Sequence, residues 1–106
     1  NKNLILGPSG QNIYPEEIEE KINNMPYVAE SLVVDRKGQL VALIYPDFEK
    51  GKQDGLSAEE VKKIVVENRN ELNKQLPAYS RIIEIELREE EFEKTPKRSI
   101  RRFMYK

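Results

Sequence analysis

Two segments carry side chains whose types and spacing could act on a ligand. The run Phe92 to Lys106 holds Lys94, Lys97, Arg98, Arg101, Arg102 and Lys106, directly after the acidic stretch Glu89-Glu90-Glu91. Cations packed this closely suit a phosphate or carboxylate, an acidic partner, or plain solvent, and the residue types alone leave all three open. Near the other end, Gly7-Pro8-Ser9-Gly10-Gln11-Asn12 is a polar turn. Its glycines permit positive φ or the close approach of another chain or ligand. The chain has no His and no Cys, which removes the commonest general base, thiolate chemistry and a disulfide framework. Lack of Cys fits a reducing cytoplasm. Eighteen basic residues against nineteen acidic ones give a net charge of −1. There is no global electrostatic case for nucleic acid or an anionic membrane.

The elements that must position these segments can be read in order. Leu4-Ile5-Leu6 is a short apolar run closed by the Gly-Pro-Ser-Gly turn. Pro15 with Glu16 and Glu17 opens a helix, because Pro suits the first helical position and acidic groups suit its positive end. Ile18, Ile22 and Met25 make one apolar stripe, and the helix should stop near Asn23-Asn24, before Pro26. Tyr27–Val34 and Leu40–Tyr45 read as strands joined through Asp35-Arg36-Lys37-Gly38 in an antiparallel hairpin. Residues from Phe48 to Gly55, with two glycines, read as a surface loop. Ser57 and Glu60 form a capping box, after which Val61, Ile64, Val65, Leu72 and Leu76 recur at helical spacing until Pro77. Arg81–Leu87 alternates, which predicts a strand with Ile83, Ile85 and Leu87 inward and Glu84 and Glu86 outward. Tyr79 is expected in the core. The order predicts a single α+β domain over residues 1–106, a small antiparallel sheet packed by two or three helices.

Three ordered motifs carry a family resemblance. Ser9-Gly10-Gln11-Asn12-Ile13-Tyr14-Pro15-Glu16-Glu17-Ile18-Glu19 resembles the hinge-side motif S-G-x-x-I-x-P-x-E-I-E of AMP-forming acyl-CoA synthetases. Leu76-Pro77-Ala78-Tyr79 looks like that family's L-P-x-Y element. Phe92-Glu93-Lys94-Thr95-Pro96, continuing to Arg101-Arg102-Phe103, looks like its last motif in the long-chain fatty acyl form, K-T-P-x-x-K-I-K-R-F.

The resemblance implies a mobile C-terminal lid domain of a long-chain fatty acid–CoA ligase, with a large N-terminal adenylation domain outside residues 1–106 as its partner. Asn1-Lys2-Asn3 leads into Leu4 without an initiator Met, which reads as a piece of a longer chain, inactive alone. The intact enzyme would use fatty acid, ATP with Mg²⁺ and CoA, none of them resident in this piece. Ser9, Gly10, Gln11 and Asn12 would face CoA, with Gly10 lining the pantetheine tunnel. The usual catalytic lysine falls on Ser99, which has no charge, and Lys97 is the candidate replacement, since alternate residues of an extended segment point the same way. The two segments are expected on opposite sides of the domain. Other readings are a non-catalytic module that uses the basic C-terminus, and a ligase whose acceptor is acyl carrier protein. No signal peptide or membrane-length apolar stretch is visible, so a cytoplasmic enzyme is expected, with peripheral membrane attachment left open.

Overall fold

The computed structural model describes residues 4–7, 10–97 and 100. A minor hairpin comes first, β1 (Ile5–Leu6) against β2 (Asn12–Ile13). Helix α1 (Pro15–Asn23) follows, then strands β3 (Val28–Arg36) and β4 (Gln39–Pro46), helices α2 (Phe48–Gln53) and α3 (Ala58–Gln75), and strand β5 (Ile82–Leu87). The α+β class is as expected. β3, β4 and β5 form one sheet in that order.

Strands β3 and β4 are antiparallel, joined by Lys37-Gly38 with φ of 54° and 80°. Positive φ at both central residues is the type I′ geometry that matches strand twist. The expected antiparallel pairing ends there. β5 runs parallel to β4. The reason is the connection: parallel neighbours need a crossover, and α3, about 27 Å long, carries the chain back along the sheet.

Both faces of the hairpin are covered. Val33, Leu40, Ala42 and Ile44 face Ile18 and Ile22 of α1 and Val61, Val65 and Leu72 of α3. Leu32, Val34, Val41 and Leu43 face Phe92 and Ile100 of the C-terminal segment. Two-sided burial explains why Leu32–Val34 and Leu40–Ile44 are unbroken apolar runs rather than alternating ones.

Helix α1 lies along the free edge of β3. Glu19 is buried, and its Oε2 accepts the Val33 N–H at 2.8 Å. Ser31 Oγ donates to Asn23 Oδ1 at 2.7 Å. One backbone donor of the otherwise open edge is thereby satisfied, and a side-chain bond ties the helix beside it.

Two further expectations differ from the fold. Ile83 is 50% exposed and Ile82 is buried in its place. A register shift between Leu40 and Val41 pairs Leu40 with Ile82 and Val41 with Glu84, leaving Ile83 as a bulge. Helix α3 stabilises it: Asn73 accepts from the Ile82 N–H at 2.8 Å and donates to its C=O at 3.0 Å, and Arg69 donates to the Ile83 C=O. Residues 48–53 are helical rather than loop. Asp47 caps α2 by accepting the Lys50 N–H at 3.0 Å. Gly51 permits contact with α3, since a Cβ there would stand 2.2 Å from Val61 Cγ2.

Helix propensity alone would credit Gly51→Ala with about 1 kcal/mol of stabilisation. Overpacking costs about 1–3 kcal/mol and should win. A thermal melt should show a lower Tm; an unchanged or higher Tm refutes the close contact.

The capping box forms, with Ser57 Oγ accepting the Glu60 N–H at 3.2 Å and Glu60 Oε1 accepting the Ser57 N–H at 3.0 Å. These bonds to Ser57 lower the Glu60 pKa below its ordinary 4.5. A depressed carboxylate stabilises the fold above its unfolded pKa and ceases to as pH falls through the folded one. The Tm gap between wild type and Glu60→Ala should therefore be widest near neutrality and narrow below pH 4.5. A gap independent of pH would contradict this account.

Candidate functional site

The glycine-bearing loop closes tightly on itself. Gly7 N–H donates to Gln11 C=O at 2.8 Å and Gly10 N–H to Gly7 C=O at 3.0 Å. Gly10 is exposed with φ of 82°, a conformation that favours glycine. A Cβ at Gly10 would meet nothing within 4 Å in this chain, so neighbouring packing leaves the space beside it open. Gly7 differs: a Cβ there would press on Gln11 Oε1 at 3.0 Å. Gln11 is half-buried and Asn12 exposed, while Ile5 and Ile13 anchor the hairpin to the helix-side core. Ser9 lies outside the described residues.

A groove of about 270 Å³ opens beside this hairpin, between Leu6, Ile13, Asp35, Tyr79, Arg81 and Ile83. Tyr79 is 43% exposed here, not in the core as expected, because the turn Ala78–Ser80 directs Ser80 inward instead. Leu6, Tyr79 and Ile83 are three of the large apolar side chains exposed on the surface. Together they make an apolar rim next to Gly7, the kind of patch that marks a contact face. Asn12 borders a second groove, of about 210 Å³, with Glu17, Lys21 and Tyr79.

The cationic segment lies across the sheet from this hairpin. Phe92 is 3% exposed against Leu32, Val34, Val41 and Leu43, and Arg88 stacks on its ring at 4.8 Å. Lys94 pairs with Ile100 as an antiparallel bridge, which closes a small hairpin around Lys97. Lys97 is exposed in the turn, with no ion pair among the described residues. Lys94 forms an ion pair with Glu30 of β3. Ser99, Arg98, Arg101, Arg102 and Lys106 lie outside the described residues.

The structure thus brings Gly10, Gln11 and Asn12 together and sets them on the face opposite Lys97. Sequence reasoning missed the apolar rim and Glu30. The rim arises from the Ile83 bulge, which has no local signature. Glu30 meets the C-terminal segment across 62 residues of sequence, with only the unbroken apolar strands hinting that something covers that face.

The groups with displaced acidity lie away from both hairpins. The Tyr27 hydroxyl donates to Asp54 at 2.7 Å, lowering the Asp54 pKa and raising that of Tyr27. Among the described residues no cluster of three or more acidic groups could hold a metal ion, and no helix is long and apolar enough to cross a membrane.

The family model for the AMP-binding enzyme C-terminal domain matches residues 2–105. The chain superposes on the adenylation domain of a carboxylate reductase from Mycobacterium chelonae with a TM-score of 0.76 and 16% identity, covering 96% of this chain and 17% of that one. For an acyl-CoA synthetase from Brucella canis the values are 0.67 and 26%, over 96% and 18%. For a Mycobacterium tuberculosis fatty acyl CoA synthetase they are 0.62 and 24%, over 96% and 19%. The chain spans less than a fifth of each of these proteins. No curated protein matches it. Matched over nearly its whole length, the chain belongs to the family of AMP-binding enzyme C-terminal domains.

Proposed function

We propose that this chain is the mobile C-terminal domain of a long-chain fatty acid–CoA ligase, acting against a large N-terminal adenylation domain of the same polypeptide in the cytoplasm. In the first half-reaction a fatty carboxylate attacks the α-phosphorus of ATP and pyrophosphate leaves. In the second, the CoA thiol attacks the acyl-adenylate carbonyl and AMP leaves. The disposition of the two hairpins supports this reading most. Each carries one candidate set, and one sheet lies between them, so rotation of a rigid body would present either set to the same partner. The apolar rim of Leu6, Tyr79 and Ile83 suits docking in the thioester-forming orientation, where water must be kept from a hydrolysable adenylate.

Lys97 would supply a positive charge where negative charge builds at the α-phosphorus. Long-chain specificity draws on the form of the last motif, and ATP–pyrophosphate exchange by the full-length protein across a fatty acid series tests it. Maximal exchange with long chains supports the reading; exchange confined to other acids defeats it.

Two substitutions in the full-length protein separate the roles. Lys97→Ala should lower adenylate formation by about 10²-fold, the usual scale for one lost electrostatic donor. Lys94→Ala, whose ammonium is already engaged by Glu30, should cost far less. Equal small effects would remove Lys97 from the chemistry.

Gly10→Leu should slow thioester formation while sparing adenylation. Gly55→Leu is the matched control, because Gly55 has φ of 80° and equally open surroundings in the loop before α3. If both variants behave alike, backbone strain rather than the space beside Gly10 is responsible.

A further inference from the structure

Among the described residues Glu30 makes no hydrogen bond or ion pair with Lys97 or the glycine loop, yet it holds the root of the hairpin that carries Lys97. Its Oε1 accepts the Phe92 N–H at 3.3 Å and its Oε2 pairs with the Lys94 ammonium. The Lys94 Nζ also donates to the Phe92 C=O at 3.4 Å. The Glu30 and Lys94 side chains are only 17% and 27% exposed, so this pair is far better shielded from solvent and salt than an ordinary surface ion pair. One carboxylate therefore fixes two successive points of the segment on β3.

Two anchors hold the hairpin at its base. Lys94 is fixed through Glu30, and its bridge partner Ile100 packs on the apolar cluster beneath. Lys97 stands between them in the turn. Phe92, buried and stacked by Arg88, keeps the segment on the sheet even without the carboxylate. Loss of Glu30 would thus free the hairpin root without removing the segment's main hydrophobic attachment. The pair also distinguishes two neighbouring cations: Lys94 is neutralised by Glu30, whereas Lys97 is exposed with no ion pair among the described residues.

We propose that Glu30 is a positioning residue for adenylate formation, acting through Lys94 to fix the location of the Lys97 ammonium. This rests on the reading that Lys97 serves the first half-reaction. An ammonium displaced by about 1 Å from a phosphoryl group loses much of its effect on rate, on a scale reaching about 10²-fold.

The test uses the full-length protein and follows each half-reaction separately, by ATP–pyrophosphate exchange and by thioester formation from supplied acyl-adenylate and CoA. Glu30→Ala should lower kcat for adenylation about 10-fold with little change in KM for ATP, and leave thioester formation within about twofold. Glu30→Gln keeps an acceptor for the Phe92 N–H but loses the ion pair, and should fall between wild type and Glu30→Ala. Glu30→Ala combined with Lys94→Met should be no worse than the more impaired single variant, as expected of partners in one interaction. Hydrogen exchange at Phe92 should speed up in Glu30→Ala while α3 remains protected. Equal loss of both half-reactions would reduce Glu30 to a fold-supporting role and overturn the proposal, as would full adenylation activity in Glu30→Ala. Lys97→Ala, assayed alongside, tells the two failures apart. If it leaves adenylation intact, the underlying reading of Lys97 falls; if it lowers adenylation while Glu30→Ala keeps the wild-type rate, only the positioning role falls.

Discussion

The constraint on which the rest of the structure depends is burial of the β3–β4 hairpin on both faces. Leu32, Leu43, Ala42 and Ile44 are each at most 2% exposed, and successive residues of each strand point to opposite sides. A three-stranded sheet so apolar must be covered twice. Helices α1 and α3 cover one face, and Phe92 and Ile100 pack on the other. Phe92 and Ile100 are for this reason part of the fold and not an appendage to it. Lys94 and Lys97 are carried beside a contact that the core itself requires.

Polar anchoring follows the same logic at the edges. Burying a strand edge or a bulge leaves backbone groups that must find partners, each costing about 1–3 kcal/mol if left unmet. Glu19 meets the Val33 N–H at the β3 edge, Asn73 meets both backbone groups of Ile82 at the β5 bulge, and Glu30 meets the Phe92 N–H. Three side chains, from α1, α3 and β3, fasten coverings that hydrophobic contact alone would leave free to slide. Apolar packing decides which elements meet, and these bonds decide in what register.

Legibility in the sequence divides along the same line. Features set by local chemistry were readable: Pro15 and the two glutamates at the start of α1, the Ser57–Glu60 box, the Lys37-Gly38 turn and the stripe on α3. Features set by distant partners were not. Gly51 reads as a helix breaker, but its role is to admit Val61 of α3. Ile83 fits an alternating pattern, yet Asn73 and Arg69 draw the backbone into a bulge that turns it outward. Parallel pairing of β5 depends on where α3 delivers the chain, which no residue of β5 records. Within the candidate site, the glycine turn was visible from composition, whereas the rim around it comes from that same bulge and from the outward-facing Tyr79.

The separation of the two hairpins has a consequence for energetics under the proposed reading. A domain that alternates between two docked orientations must have them within a few kcal/mol of each other, or one would trap it. Offering two different faces to one partner achieves this without internal rearrangement, since neither core cluster has to open when the body turns. The faces need not be alike, and here they differ: one presents an apolar rim beside a glycine loop, the other a cation on a short hairpin. Apolar docking is not weakened by charge screening, whereas an exposed cation is screened beyond about 10 Å at 0.1 M ionic strength. The balance between orientations should therefore shift with ionic strength in favour of the apolar face. Rigid coverings on both sides of one hairpin are what allow such a shift to occur without cost to the fold.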